Sequence, residues 1–125
     1  AQRSGLVAGG GAAYHHAATA LRSRDTTGNG GINYGRDVLI EALSAPLRQI
    51  IVNAGDEAPA VRLVQVAEGG AAATFDVHSA RIGNAFDLGI VDSADVIVEA
   101  LRAGVSGAAM AISTGAIVYH RTPQR

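Results

Sequence analysis

The sequence predicts a mainly α-helical single domain over residues 1–125 with a small β element, and three patterns carry that prediction. From Ile32 to Ala54, apolar residues recur at three- and four-residue steps, as one face of a long helix requires. A second helical run begins near Ala94. Between 71 and 92 the helical period fails, and Thr74-Phe75-Asp76-Val77 reads as one strand of a short β-hairpin.

The chain opens on Leu6-Val7-Ala8-Gly9-Gly10-Gly11, an apolar stretch that runs into three adjacent glycines. Glycine alone reaches φ > 0 without steric penalty, so this corner lets backbone amides approach an anion or a nucleotide closely. Ala12 to Leu21 then reads as a short helix, and Arg22 to Asn29 as a polar link. Gly28-Asn29-Gly30-Gly31 lacks the third glycine of a dinucleotide fingerprint and reads as flexible chain. The long helix from Ile32 places Val38, Leu39, Ala42, Leu43, Pro46, Leu47, Ile50, Ile51 and Ala54 on its apolar face. Pro46 removes one intrahelical hydrogen bond and should kink it. Gly55 stands where a left-handed C-terminal cap belongs.

Asp56 to Pro59 reads as the start of another helix, since acidic residues suit a first turn and proline the first helical position. Val61, Leu63, Val64 and Val66 supply its apolar face, and Gly69-Gly70 ends it. Asp92 with Ser93 forms the N-cap of the last helix, with Asp95 in the first turn. Its buried stripe reads Val96, Ile97, Ala100, Leu101, Val105, Ala108, Ala109 and Ile112, and Gly104 and Gly107 leave room for another helix. Ala116-Ile117-Val118-Tyr119-His120 has the character of a C-terminal β-strand, whose unpaired edge invites another chain.

Composition excludes several functions. The formal net charge is −1, so no global field draws the chain to nucleic acid or an anionic membrane. Ala103 to Tyr119 carries no charge, but Ser106, Gly107, Ser113, Thr114 and Gly115 interrupt it, which argues against a membrane span. The basic start at Arg3 leads into glycines rather than into a signal-peptide core. With no cysteine there is no disulfide or thiolate chemistry, which fits a cytoplasmic protein. Arginine is the basic residue throughout, with no lysine, as a GC-rich bacterial genome would encode.

Adjacent His15 and His16 project about 100° apart on a helix and cannot chelate together, so a solvated helix face is expected. His78 and His120 have no partner at ligand spacing, and no metal site is expected. Ser113 and Thr114 lack a nucleophile-elbow context, and no residue is assigned a catalytic role.

Taken in order, four segments resemble the C-terminal part of the equatorial domain of group I chaperonins. They are the valine-alanine-triple-glycine run ending at Gly11, Glu41 to Ile50, the Asn53-Ala54-Gly55-Asp56-Glu57 turn, and Gly89-Ile90-Val91-Asp92. The resemblance runs from about Gly5 to Thr122. It implies a partial chaperonin equatorial-domain-like helical bundle that contributes to ATP binding and to contacts between ring subunits in a folding machine. In such proteins the triple-glycine loop lies against the nucleotide, which maps onto Gly10. The hairpin before the last helix covers adenine, which maps onto Asp76 and Val77 with Ile90 as an apolar neighbour. The last residue of the glycine-isoleucine-x-aspartate segment contacts ribose, which maps onto Asp92.

The departures are as specific as the matches. Asp76 and Val77 replace an asparagine-alanine pair, Ala71-Ala72-Ala73 replaces an aromatic glycine-rich loop, and Ser93 stands where proline is common. An ionised carboxylate donates no hydrogen bond, so the base-covering role of Asp76 changes. Nothing here matches the family's phosphate-binding loop, and its catalytic aspartate lies upstream of the triple glycine. The chain alone is therefore expected to be inactive as an ATPase, and to hold ATP, with its Mg, only beside the remainder of the domain. Expected partners are other chaperonin subunits or that missing half, in a homo-oligomer, with client proteins held through domains not present here. The alternative is a stand-alone helical oligomerisation module that has lost the nucleotide.

Overall fold

The computed structural model describes residues 5–24 and 28–121, with side chains as far as 114. In chain order the elements are β1 (Leu6–Ala8), α1 (Ala12–Arg22), α2 (Gly30–Asn53), α3 (Pro59–Glu68), β2 (Ala73–Asp76), β3 (Arg81–Asn84), α4 (Ala85–Leu88), β4 (Val91–Ser93) and α5 (Ala94–Arg121). Helices dominate, and the strands form two antiparallel pairs, β1 with β4 and the β2–β3 hairpin. Part of the polar link at 22–29 lies outside the described residues.

Punctuation residues act where the sequence puts them. Asn29 N-caps α2, its side chain accepting from Gly31 N at 2.9 Å and Ile32 N at 3.1 Å, so the glycines at 30 and 31 begin a helix instead of forming flexible chain. Gly55, at φ 86°, follows the C-cap of α2, and Pro59 opens α3. Between them Asp56 accepts from Ala58 N and pairs with Arg62 Nε, both at 2.8 Å. At the other end of the α1–α2 pair, Arg36 donates to the carbonyls of Leu21 and Arg24, placing a cation at the C-terminal end of α1.

The main core joins Ala8, Ala12, Leu47, Ile51, Leu63, Val66, Ala73, Phe75 and Ala85, and a second cluster joins Ala18, Ile40 and Leu43 between α1 and α2. The buried face of α2 is Ile40, Leu43, Ser44, Leu47 and Ile51, rotated from the predicted one: Val38 is exposed, while Ile40 and Ser44 are inside. Both faces obey the same helical period, and only the positions of α1 and α3 select between them. Pro46 is exposed within an unbroken α2.

The last helix departs most from expectation. Only its beginning meets the body, where Leu101 packs beside the second cluster. Val105, Met110 and Ile112 are more than half exposed, and Gly104 and Gly107 face open space, so the expected buried stripe is bare in this chain. Over Ala94–Thr114 the helix has the length and composition to cross a bilayer, and none of that window is buried. Residues 116–120, expected as a strand, continue α5 to Arg121. The described strands pair two by two and none pairs with 116–120, while a helix already running satisfies each further backbone group at the cost of one residue.

The tightest approach of a glycine to another element's backbone is at Gly11, with φ 82°. A Cβ there would stand 2.8 Å from Leu47 N and 3.2 Å from Pro46 C, so α1 enters its path against the bare backbone of α2. Gly11→Ala should lower stability by about 3 kcal/mol or more, because left-handed strain of roughly 1–2 kcal/mol adds to a backbone clash. Gly55→Ala meets nothing within 4 Å and should cost the strain alone, and urea unfolding midpoints of the two variants check the difference.

Candidate functional site

The candidate site is the corner where β1 turns into α1. In the β1–β4 ladder Leu6 faces Ser93, Val7 faces Asp92 and Ala8 faces Val91. That register carries Gly9 past the ladder, where its N–H donates to Ile90 O at 2.8 Å. A Cβ on Gly9 would lie 3.0 Å from the Ile90 carbonyl carbon and oxygen and from Val91 N, and one on Gly10 would lie 3.5 Å from Ile90 Cγ2. From the hairpin, buried Thr74 donates its hydroxyl to Gly9 O at 2.9 Å. Three elements distant in sequence thus meet on the glycines.

Of the sequence-derived site residues, Gly10 and Ile90 are brought into contact, and Asp92 lies on the adjoining strand opposite Val7. The Asp92 carboxylate makes no hydrogen bond or ion pair with a described residue. Ser93 does not cap α5: its Oγ is buried without a partner, because pairing holds 91–93 extended. The first amide of α5, at Ala94, donates instead to Gly5 O at 3.1 Å. The amides of Gly10 and Gly11 have no acceptor among the described residues, and Gly11, the N-cap of α1, has no side chain to supply one.

Asp76 is the last residue of β2, paired with Arg81, and its carboxylate is occupied by the hairpin's own turn. Oδ1 accepts from His78 N at 3.0 Å and Oδ2 from the Ser79 hydroxyl at 2.9 Å. The Ser79 hydrogen bond, ahead of the His78 amide, holds its pKa below the ordinary 3.8. Val77 lies beyond the strand, in the turn and half exposed. Thr74 was not among the sequence-derived residues. Strand alternation could have found it, since Thr74 and Asp76 share one face of β2.

The two histidines also differ from expectation, being internal ties and not a solvated face. His15 is buried, with Nδ1 2.8 Å from Ser44 Oγ and Nε2 2.7 Å from Leu63 O. His16 places Nε2 2.9 Å from Ala73 O. A carbonyl only accepts, so Nε2 carries the proton in both rings. Among the described residues no group of three or more metal-ligating side chains converges.

A helical domain whose glycine corner is clasped by a short sheet and a hairpin is the architecture expected of a chaperonin equatorial domain. Residues 1–122 match the family model of the TCP-1/cpn60 chaperonin family. The chain belongs to that family, as a segment of its equatorial domain, and chaperonin-type protein folding is the process it serves.

Thr74→Val should cost about 1 kcal/mol, at the low end for a lost buried hydrogen bond, because Gly9 O also accepts from Ala12 N at 3.2 Å. Denaturant unfolding at constant slope measures it. In an NMR titration Asp76 should lose its charge below pH 3.8, and Ser79→Ala should raise that midpoint toward 3.8, since the hydroxyl is the leading cause of the shift.

Proposed function

We propose that the glycine corner is half of a purine-nucleotide pocket, with ATP as the nucleotide, and that the chain takes part in ATP binding and subunit contacts of a chaperonin. The observation that carries this reading is the junction of Gly10 with Ile90 beside Asp92, whose carboxylate has no partner among the described residues. The amides of Gly10 and Gly11, at the start of α1 and without an acceptor among the described residues, suit phosphate oxygens. Ile90 offers an apolar wall to a flat base, and the Asp92 carboxylate accepts from sugar hydroxyls.

The fit is uneven along the hairpin. Both oxygens of Asp76 already accept bonds from its turn, and an ionised carboxylate gives nothing to the ring nitrogens of adenine. Base recognition on this reading rests on shape, with Val77 and Ile90, more than on hydrogen bonds. Mg bound with ATP would take its ligands from the phosphates and from groups contributed by the rest of the domain. On the same reading the bare side of α5 is covered by another polypeptide, and client proteins are held elsewhere.

The exposed apolar length of α5 favours a second reading: a self-associating helical module that kept the packing and lost the nucleotide. Intact mass of the protein in its source separates the two, with 12.6 kDa favouring the module and a far longer product the nucleotide-binding domain.

Calorimetric titration of the isolated chain should find ATP binding no tighter than about 0.1 mM. Adding a chaperonin equatorial segment that carries a phosphate-binding loop should tighten it by about tenfold or more, and Asp92→Ala should remove that gain. Tight binding by the chain alone would contradict the half-pocket, and no binding with the companion present would remove the nucleotide from the proposal altogether.

A further inference from the structure

We propose that His15 is a pH-sensitive clamp that holds α3 against α1 and α2 while its imidazole is neutral and loosens that contact on protonation. The clamp is separate from the nucleotide reading and stands on different residues. Its ring reaches two elements at once, Ser44 on α2 through Nδ1 and the Leu63 carbonyl of α3 through Nε2, at 2.8 and 2.7 Å. Both bonds join residues far apart in sequence, and the α1–α3 bond ends on a carbonyl inside a helix.

The neutral ring suits both partners. Nε2–H donates to Leu63 O, leaving the Nδ1 lone pair to accept the Ser44 hydroxyl proton. Protonation puts a hydrogen on Nδ1 as well, so ring and hydroxyl then meet donor to donor, and Ser44 must turn its proton away from the ring and accept from Nδ1 instead. The new charge is buried beside a cavity of about 280 Å³ between α1, α2 and α3. Desolvation is the largest influence on the ring and lowers its pKa from 6.5, opposed by the bond to Leu63 O and reinforced by the neighbouring cations.

The charged groups facing the ring come from all three helices. His16 and Arg22 on α1 and Arg48 on α2 disfavour a second positive charge. Glu41 on α2 and Glu68 on α3 line the same cavity, and neither makes an ion pair with the ring. Relocating the proton onto His15 therefore sets like charges together at the point where three helices join.

The sign follows from linkage. A base whose pKa is lower in the folded state binds more protons when unfolded, so stability is complete above pH 6.5 and is lost as pH falls from there toward the folded-state value. Local opening of α3 should follow the same course, rising by up to about tenfold per pH unit within that window, the limit for one proton.

Hydrogen exchange of the α3 amides in the full chain, followed from pH 8 to pH 5 and corrected for intrinsic rates, tests the clamp. Opening should increase below pH 6.5 in the wild type. In His15→Gln, whose amide can still donate to Leu63 O but does not titrate, the increase should vanish. An NMR titration of the wild-type imidazole keeps the test sharp should the variant not fold. A His15 midpoint at or above 6.5, or α3 opening independent of pH, overturns the clamp. A depressed midpoint with opening spread evenly over all helices overturns it too, since it would mean a global and not a local response.

Discussion

The structure depends on one steric constraint: at three consecutive positions, 9 to 11, the chain carries no side chain. Gly9 lies against the backbone of 90–91, Gly10 against Thr74 and Ile90, and Gly11 against the backbone at 46–47. At Gly9 and Gly11 the approach is at or inside the limit for a Cβ, so a single methyl at either would force elements apart, whereas Gly10 is in ordinary contact and is held to glycine by its φ of 67°. The corner therefore fixes where β4, the β2–β3 hairpin and α2 lie relative to α1. The aliphatic core fills in behind it, with Leu47 and Ile51 of α2 meeting Leu63 and Val66 of α3 and Phe75 of the hairpin. A chain so poor in aromatic side chains gains its packing from backbone proximity, and glycine and alanine are the residues that permit it.

Much of this was legible in the sequence because it rests on local chemistry. Gly55 after α2, Pro59 opening α3, the glycines closing it and the strand at 74–76 all follow from conformational rules that need no tertiary information. What escaped was decided by contacts between elements. Val38 and Ile40 both fit a helical stripe, and only packing on α1 turns Ile40 inward. The histidines read as solvated because their acceptors, Leu63 O and Ala73 O, are backbone groups that composition cannot reveal. Ser93 looked like a cap until β-pairing with Leu6 claimed its backbone. Of the candidate site, Gly10, Ile90 and Asp92 were readable from motif order, whereas Thr74 and the closed state of the Asp76 carboxylate required the hairpin in three dimensions.

The strand expected at 116–120 failed for an instructive reason. β-branched residues there favour a strand only where a partner edge exists, and β-propensity measures such packing more than an intrinsic backbone preference. The described strands of this fold pair two by two without taking in 116–120, and α5 propagates instead. Its apolar surface is then the exposed product of a helix that continues past the cluster at Leu101, with residues 102–114 exposed. Isolated helices of this kind gain little stability in water, and most helical stability comes from packing an apolar face. The distal part of α5 is thus the element whose order depends most on what lies against it.

Helix α1 links the corner to the rest of the fold through polar groups as well as through the apolar contacts of Ala12 and Ala18. Its N-terminal end is the glycine turn, with amides that have no acceptor among the described residues, and its first full turns carry the two imidazoles that reach α3 and β2. Its C-terminal carbonyls are taken by Arg36 of α2. Directional bonds tolerate small displacements poorly, so together with the packed alanines they hold α1 in register at both ends and in the middle. A group bound at its N-terminal amides would therefore meet a helix already fixed against α2, α3 and the hairpin. Any shift of that helix would have to stretch the bonds of His15 and His16 before it could alter the core, so these two side chains are the points through which strain at the corner would pass to α3 and β2.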